Sequence, residues 1–375
     1  MSTADSAPPP AQARLARWQA WALVSALVLT SVVWIAVDWL RQPEAVAPRH
    51  ELGALAPGWE LVGQLTQLQL ALPPAPAADA VAFVGQAAGQ AEMALEAYGV
   101  PSGELLWRLD EAALTRPRGW PADWSWSAPV SYRWSGLAAA EGVVYAAEAY
   151  LLDTAVNAYD LHTGQRLWHH RLGILNGSDV SQLALFDDRI VAHIQKPDFN
   201  GVYVLAREQG FLLRQRTGDV HWVFWVDDEP HRIYEASDDT INVSQTAAWR
   251  TTVGGCGIQA QVTAALVLAR VQGCDGAPAR IVALARQTGD ILWQFNDPVA
   301  GNLAVDGEVL YVLTADAQLW AIDLATQQSE VIASFTPSLA AFTPDAVVFL
   351  GVNAGVAAVY LGDSGQLFLL RRVAE

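Results

Sequence analysis

Three groups of residues have types and spacing that could do chemistry. His169 and His170 follow Trp168 at the end of AYDLHTGQRLWHHR, residues 158–171, and histidine is the commonest metal ligand. The acidic runs Asp227-Asp228-Glu229 and Asp238-Asp239 offer the hard oxygen donors that calcium takes. Cys256 and Cys274 are the only cysteines, and an even pair outside a reducing compartment points to a disulfide. The first two groups fail on geometry. Neighbouring residues on a strand face opposite ways, so His169 and His170 are poorly placed to share a metal. Each acidic run falls where an interstrand turn is needed, and aspartate forms turns there. Neither is assigned a metal, no catalytic residue is assigned, and no cofactor is expected.

The elements that would position such residues are repeats. ALARQTGDILWQ, 283–294, rewrites 158–171: an alternating apolar run, Thr-Gly, two residues, then Leu-Trp. GNLAVDGEVLYVLTADAQLWAIDLATQQSEVIAS, 301–334, carries four such strands with an Asp-Gly turn after the first. With Trp168 as ruler, equivalent marks fall at Trp107, Trp168, Arg214, Trp249, Trp293, Val331 and Leu369, spaced 35 to 61 residues apart with a mean of about 44, the range of propeller blades. TGDVHW, 217–222, matches locally but leaves only 27 residues before Trp249, too few for four strands. Gly164 and Gly289 supply a tight turn at positive φ. Trp107, Trp168, Trp249 and Trp293 fill the wedge between neighbouring blades. Packing accounts for the spacing.

The fold class expected is therefore all-β: a seven-bladed, alternatively eight-bladed, β-propeller of four-stranded antiparallel blades over 58–375. Residues 58–72 either begin the first blade or close the ring with the C-terminal strands. A Trp-rich insertion at 111–134 interrupts the first interval, holding Trp120, Trp124, Trp126, Tyr132 and Trp134. It either caps the propeller or presents an aromatic interaction surface.

Ahead of the repeats, Trp18 to Val37 runs twenty residues without a charge, and a helix of that length spans about 30 Å, the hydrocarbon thickness of a bilayer. Tryptophans at both ends suit the interface. Residues 18–40 are expected to be an uncleaved transmembrane signal anchor and 1–17 a cytoplasmic tail, because Arg14 and Arg17 precede the span. Residues 41–57 read as a proline-rich spacer, which places the propeller outside the cytoplasm as part of a single-pass protein of the cell membrane. The net charge of −17, with Lys196 the only lysine, excludes nucleic acid as a partner, since phosphate neutralisation needs a basic footprint.

The hairpin VVYAAEAY…AYDLHTGQRLW, with LVLAR…VALARQTGDILW and LYVLTADAQLWAIDLATQQ, resembles the pyrroloquinoline-quinone-like (PQQ-like) repeats of β-propellers. The resemblance covers roughly residues 80 to 375. It implies kinship with either the quinone-dependent alcohol and sugar dehydrogenases or the non-enzymatic scaffolds of the outer-membrane assembly lipoprotein type. The dehydrogenases have an adjacent Cys-Cys pair and a calcium-binding Asp/Glu/Asn set; here Cys256 and Cys274 stand apart and no such set can be matched. The resemblance therefore implies a protein-interaction scaffold without catalysis. The alternatives are a quinone-dependent oxidoreductase, or an envelope sensor binding a small molecule or polysaccharide.

Cys256 precedes the first strand of its repeat and Cys274 opens the turn after the second. Antiparallel strands bring those two points to one edge, within the ~4.4 to 6.8 Å between Cα atoms that a bridge requires. The alternative is two unrelated buried thiols, which the flanking glycines at 254, 255, 257 and 273 disfavour.

Overall fold

The computed structural model describes residues 49–373, apart from 88–89, 91–92, 111–131, 151–152, 175–179, 187, 197–198, 219–222, 227–232, 237–238, 245–247 and 337–346. The expected membrane span at 18–40 and the acidic run 227–229 lie outside the described residues. No helix among the described residues is long and apolar enough to cross a membrane. The described residues are all-β apart from one short 3-10 turn, Cys274–Gly276.

The recurring element is a sheet of four sequential antiparallel strands. Tyr132–Ala140, Val143–Tyr150, Asp153–Asp160 and Arg166–Ile174 make one, and 180–218 and 223–252 make two more. Residues 68–110 make a sheet whose first strand is split into Leu68–Leu70 and Ala75–Pro76. The strand Ile291–Asp306 ends the 258–295 unit and begins the 299–336 unit, fusing them into one sheet. The second strands read as nearly unbroken apolar runs, VAAVYL at 356–361 and LVLARV at 266–271, because both of their faces are covered by neighbouring sheets.

Each sheet packs face to face on the next. One apolar cluster joins 68–110 to 132–174, a second joins 132–174 to 180–218, and others join 223–252 to 258–295 and 258–295 to 299–336. Strands of 180–218 and 223–252 also touch. The last sheet, Val348–Asn353, Val356–Leu361 and Gln366–Arg372, packs on 299–336 on one side and 68–110 on the other. The packing thus returns to its start, and the architecture is a β-propeller.

Of the two roles expected for residues 58–72, the chain takes the closing of the ring with the C-terminal strands. Strand Trp59–Leu65 pairs antiparallel with Gln366–Arg372, and Glu51–Leu55 pairs with Ser329–Thr336 as an added edge strand. The spacer expected to reach residue 57 therefore gives way to sheet from Glu51, and His50 before it is buried and bound through its backbone N–H and C=O to the Gln366 side chain at 2.6 and 3.1 Å. In each of the six four-stranded units whose third-strand end is described, a backbone N–H at or just beyond that end binds the first turn: Val100 to Asp79, Leu161 to Gly142, Arg207 to Asp188, Arg286 to Ala265, Leu324 to Glu308 and Arg372 to Gly355. Arg372 in this series shows that Gln366–Arg372 is a third strand. The ruler mark at Leu369, expected on a fourth strand, is thus one strand off, because the N-terminal segment supplies the fourth.

Candidate functional site

The ruler residues form a repeated joint. Trp107, Trp168, Trp249 and Trp293 stand opposite Ala97, Ala158, Val243 and Ala283 of their third strands. The indole of each of the first three crosses to the next sheet and lies against a turn glycine there. A Cβ added to Gly164 would sit 2.7 Å from Trp107, one on Gly210 2.5 Å from Trp168, and one on Gly289 2.4 Å from Trp249. These glycines have φ of 67°, 69° and 76°, so both conformation and space call for the missing side chain. Each indole N–H also donates to the carbonyl three residues before its glycine: Trp107 to Leu161 at 2.7 Å, Trp168 to Arg207 at 3.1 Å and Trp249 to Arg286 at 3.0 Å. Trp293 keeps the register, but in the next sheet Gln327, also at positive φ, holds the glycine position.

The remaining residues singled out from sequence are placed as follows. Cys256 and Cys274 are joined in a disulfide, with Cα atoms 5.1 Å apart. Trp120, Trp124 and Trp126 lie outside the described residues, and Tyr132 opens a strand. Trp134 is buried at 5% exposure within the cluster between the 68–110 and 132–174 sheets, so it packs inside the fold and presents no surface. Just ahead of LHTG, Asp160 accepts from the Thr163 hydroxyl and from the backbone N–H of Thr163 and His162, bonds that hold its carboxyl below the usual range. His169 contacts Asn157 at 2.8 Å. Among the described residues no cluster of His, Cys, Asp and Glu is arranged to hold a metal. The buried carboxylate Glu96 is paired with Arg108 and accepts from Tyr98 at 3.0 Å. Burial first, then Glu96, pushes the Tyr98 hydroxyl up to about 12, leaving it a donor at neutral pH.

One cleft interrupts the series of joints. It lies between the 299–336 sheet and the closing sheet, has a volume of about 400 Å³, and is lined by Trp59, Tyr311, Ala321, Asp323, Glu330 and Arg372 among others. Opposite Ala321 of the third strand stands Glu330. Trp59 approaches Tyr311 edge to face at 6.1 Å. Burial raises the Tyr311 hydroxyl, with Asp306 and Glu330 adding to the shift and Arg372 opposing it.

Residues 238–367 match the family described as outer membrane protein assembly factor BamB. The chain resembles the PQQ-like scaffolds of the BamB type. The match is to that branch rather than to the quinone-dependent dehydrogenases. Among solved structures, BamB from Moraxella catarrhalis is 13% identical, covering 84% of this chain and 97% of its own, with a TM-score of 0.42. A chain of the mitotic checkpoint complex is 13% identical, covering 89% and 94%, with a TM-score of 0.50. The computationally designed Ika8 protein is 14% identical, covering 82% and 96%, with a TM-score of 0.44. At such identity the likeness with a TM-score of 0.50 concerns the fold alone, and the other two carry no argument. No curated protein matches in sequence.

Sequence reasoning assigned each PQQ-like Thr-Gly to its own repeat. It missed that the glycine serves the tryptophan of the preceding one. It also missed Gly210, which lacks the Thr but has the glycine spacing, and Trp59, Glu330 and Arg372, which meet only because the chain ends come together.

Proposed function

We propose that the chain is a membrane-anchored, extracytoplasmic, seven-bladed β-propeller that holds protein partners as an assembly scaffold, without catalysis. The observation that carries this reading is the match of residues 238–367 to an outer membrane protein assembly factor. Seven blades are supported by the circle of packed units, counting the fused sheet as two and the N-terminal strand as completing the last. The charge-free run from Trp18 to Val37, preceded by Arg14 and Arg17, supports a single-pass anchor with a cytoplasmic tail. The Cys256–Cys274 bridge supports an oxidising compartment beyond it.

The chain joins the propeller at His50, beside Thr336, where a fourth strand ends. The Trp-rich connection begins at Asp110, the end of another fourth strand. Both points lie at the same end of the sheets, and we assign Trp120, Trp124 and Trp126, which follow Asp110 in sequence, to partner binding. Crosslinking in native membranes followed by mass spectrometry is expected to return a small set of envelope proteins, with recovery lost on deleting 111–131 while circular dichroism is unchanged. Quinone- and calcium-dependent reduction of a dye with an alcohol or sugar would overturn the scaffold reading.

A further inference from the structure

The joint between 132–174 and 180–218 shows what the seam cleft has in place of an indole. There Trp168 lies 6.0 Å from Tyr145 of its own sheet. Arg207 of the next sheet donates to the Tyr145 hydroxyl at 3.2 Å, sits 5.9 Å over its ring, and offers its carbonyl to the indole N–H. At the seam the same parts recur. Tyr311 stands three residues beyond Glu308, as Tyr145 stands three beyond Gly142, and both first-turn residues accept the shared backbone bond. Arg372 takes the place of Arg207 by the same bond, to Gly355 in one case and Asp188 in the other. By turn spacing the equivalent of Trp168 is the ruler residue Val331, but the bulge falls elsewhere in this strand, so Val331 stands opposite Trp320 and Glu330, one residue before it and exposed, stands opposite Ala321 as Trp168 stands opposite Ala158. A tyrosine, an arginine and an alanine floor are present; the indole is replaced by a short carboxylate, and the cleft of about 400 Å³ opens there.

We propose that this seam cleft is a docking seat for a tryptophan side chain carried by a partner protein. The inference rests on the scaffold reading and names a site for it. The volume lies at the small end of ligand pockets, enough for one aromatic side chain and its backbone. Trp59 and Tyr311 give the aromatic walls. The Arg372 guanidinium supplies a cation for the indole face. Glu330 supplies an acceptor for the indole N–H, the role that a backbone carbonyl plays in the internal joints. The third and fourth strands of the closing sheet are not joined by a turn, as they are in the internal joints, and meet instead through Val373 N–H to Gly58 C=O at 2.8 Å beside the seat.

The probe is N-acetyl-tryptophanamide, with N-acetyl-alaninamide as control, followed by saturation-transfer NMR on the full chain in detergent. Saturable binding of the tryptophan probe alone is expected. Glu330→Trp restores the internal indole, so it is expected to raise the melting temperature and to weaken probe binding at least about ten-fold, as loss of a desolvated aromatic contact would. Arg372→Ala is expected to weaken it about three-fold, the size of an exposed cation–π contact. Equal probe binding by wild type and a folded Glu330→Trp variant overturns the proposal, as does no binding by wild type at millimolar probe. Crosslinked partners recovered from membranes despite either result would leave the scaffold reading standing and remove only this seat.

Discussion

A methyl group on Gly164 would meet Trp107 at 2.7 Å, whereas one on Gly142 would meet nothing within 4 Å, although both residues have positive φ. Gly142→Ala should therefore cost only the left-handed backbone penalty of about 1–2 kcal/mol. Gly164→Ala should add about 1–3 kcal/mol for the displaced indole. Chemical denaturation of the two variants checks this, and equal losses would show that the indole has no fixed seat. The Leu-Trp pair divides in the same way. Leu167 is 50% exposed while Trp168 reaches the next sheet, so Leu167→Ser is expected within about 0.5 kcal/mol of wild type and Trp168→Ala about 3–5 kcal/mol below it. The motif and the packing of its tryptophan between blades were legible in the sequence, but the tryptophan's seat on the turn glycine of the next sheet was not, since a one-dimensional pattern does not say which repeat meets which. His193 carries no motif at all. It is fully buried, and burial lowers its pKa from 6.5 to about 4. Between those values the unfolded chain binds a proton that the folded chain refuses, so this group takes stability away as pH falls from 6.5 to about 4 and contributes no further change below. His193→Gln should flatten the melting temperature against pH over that window; an unchanged slope would assign the acid sensitivity to other groups.

At the scale of elements, the legible features were those fixed by local chemistry. The bridge between Cys256 and Cys274 follows from two antiparallel strands, Ile258–Val262 and Leu266–Val271, that carry the cysteines to one edge. Closing a loop of 18 residues contributes on the order of 3 kcal/mol in the chain-entropy model. Protein isolated from membranes and denatured without reductant is expected to take up no maleimide, and to take up two per chain after reduction. Two labels before reduction would remove the bridge and with it one support for an oxidising compartment. The strand Glu51–Leu55 was not legible: ELGAL has no strict alternation, and it is held by backbone pairing to the edge of the 299–336 sheet, with three of its five residues exposed. The shared strand Ile291–Asp306 was also missed, because the sequence marks its two halves as separate repeats.

The whole molecule depends on a contact that no local pattern announces. Trp59–Leu65 and Gln366–Arg372 are about 300 residues apart in sequence yet directly paired, from Trp59 opposite Arg372 to Leu65 opposite Leu367. The repeats told that sheets should follow one another around an axis; they did not tell which end of the chain completes the last one, because a three-stranded remainder and a four-stranded blade differ only in what arrives from far away. Val62 is buried in the cluster joining the closing sheet to 68–110, Leu65 packs against it, and Trp59 packs against the cluster on the other side. Burying three such side chains contributes on the order of 5 kcal/mol. A chain beginning at Arg49 is therefore expected to melt as wild type does. One beginning at Gln67 should melt on the order of 10 °C lower, because the third strand of the closing sheet is left as an open edge that also invites association. A synthetic peptide of residues 49–66 added in trans should recover the lost stability in a concentration-dependent way, since it binds only the folded state. Identical melting of the two truncated chains would mean that the N-terminal strand is an ornament of the ring and that three C-terminal strands suffice to close it.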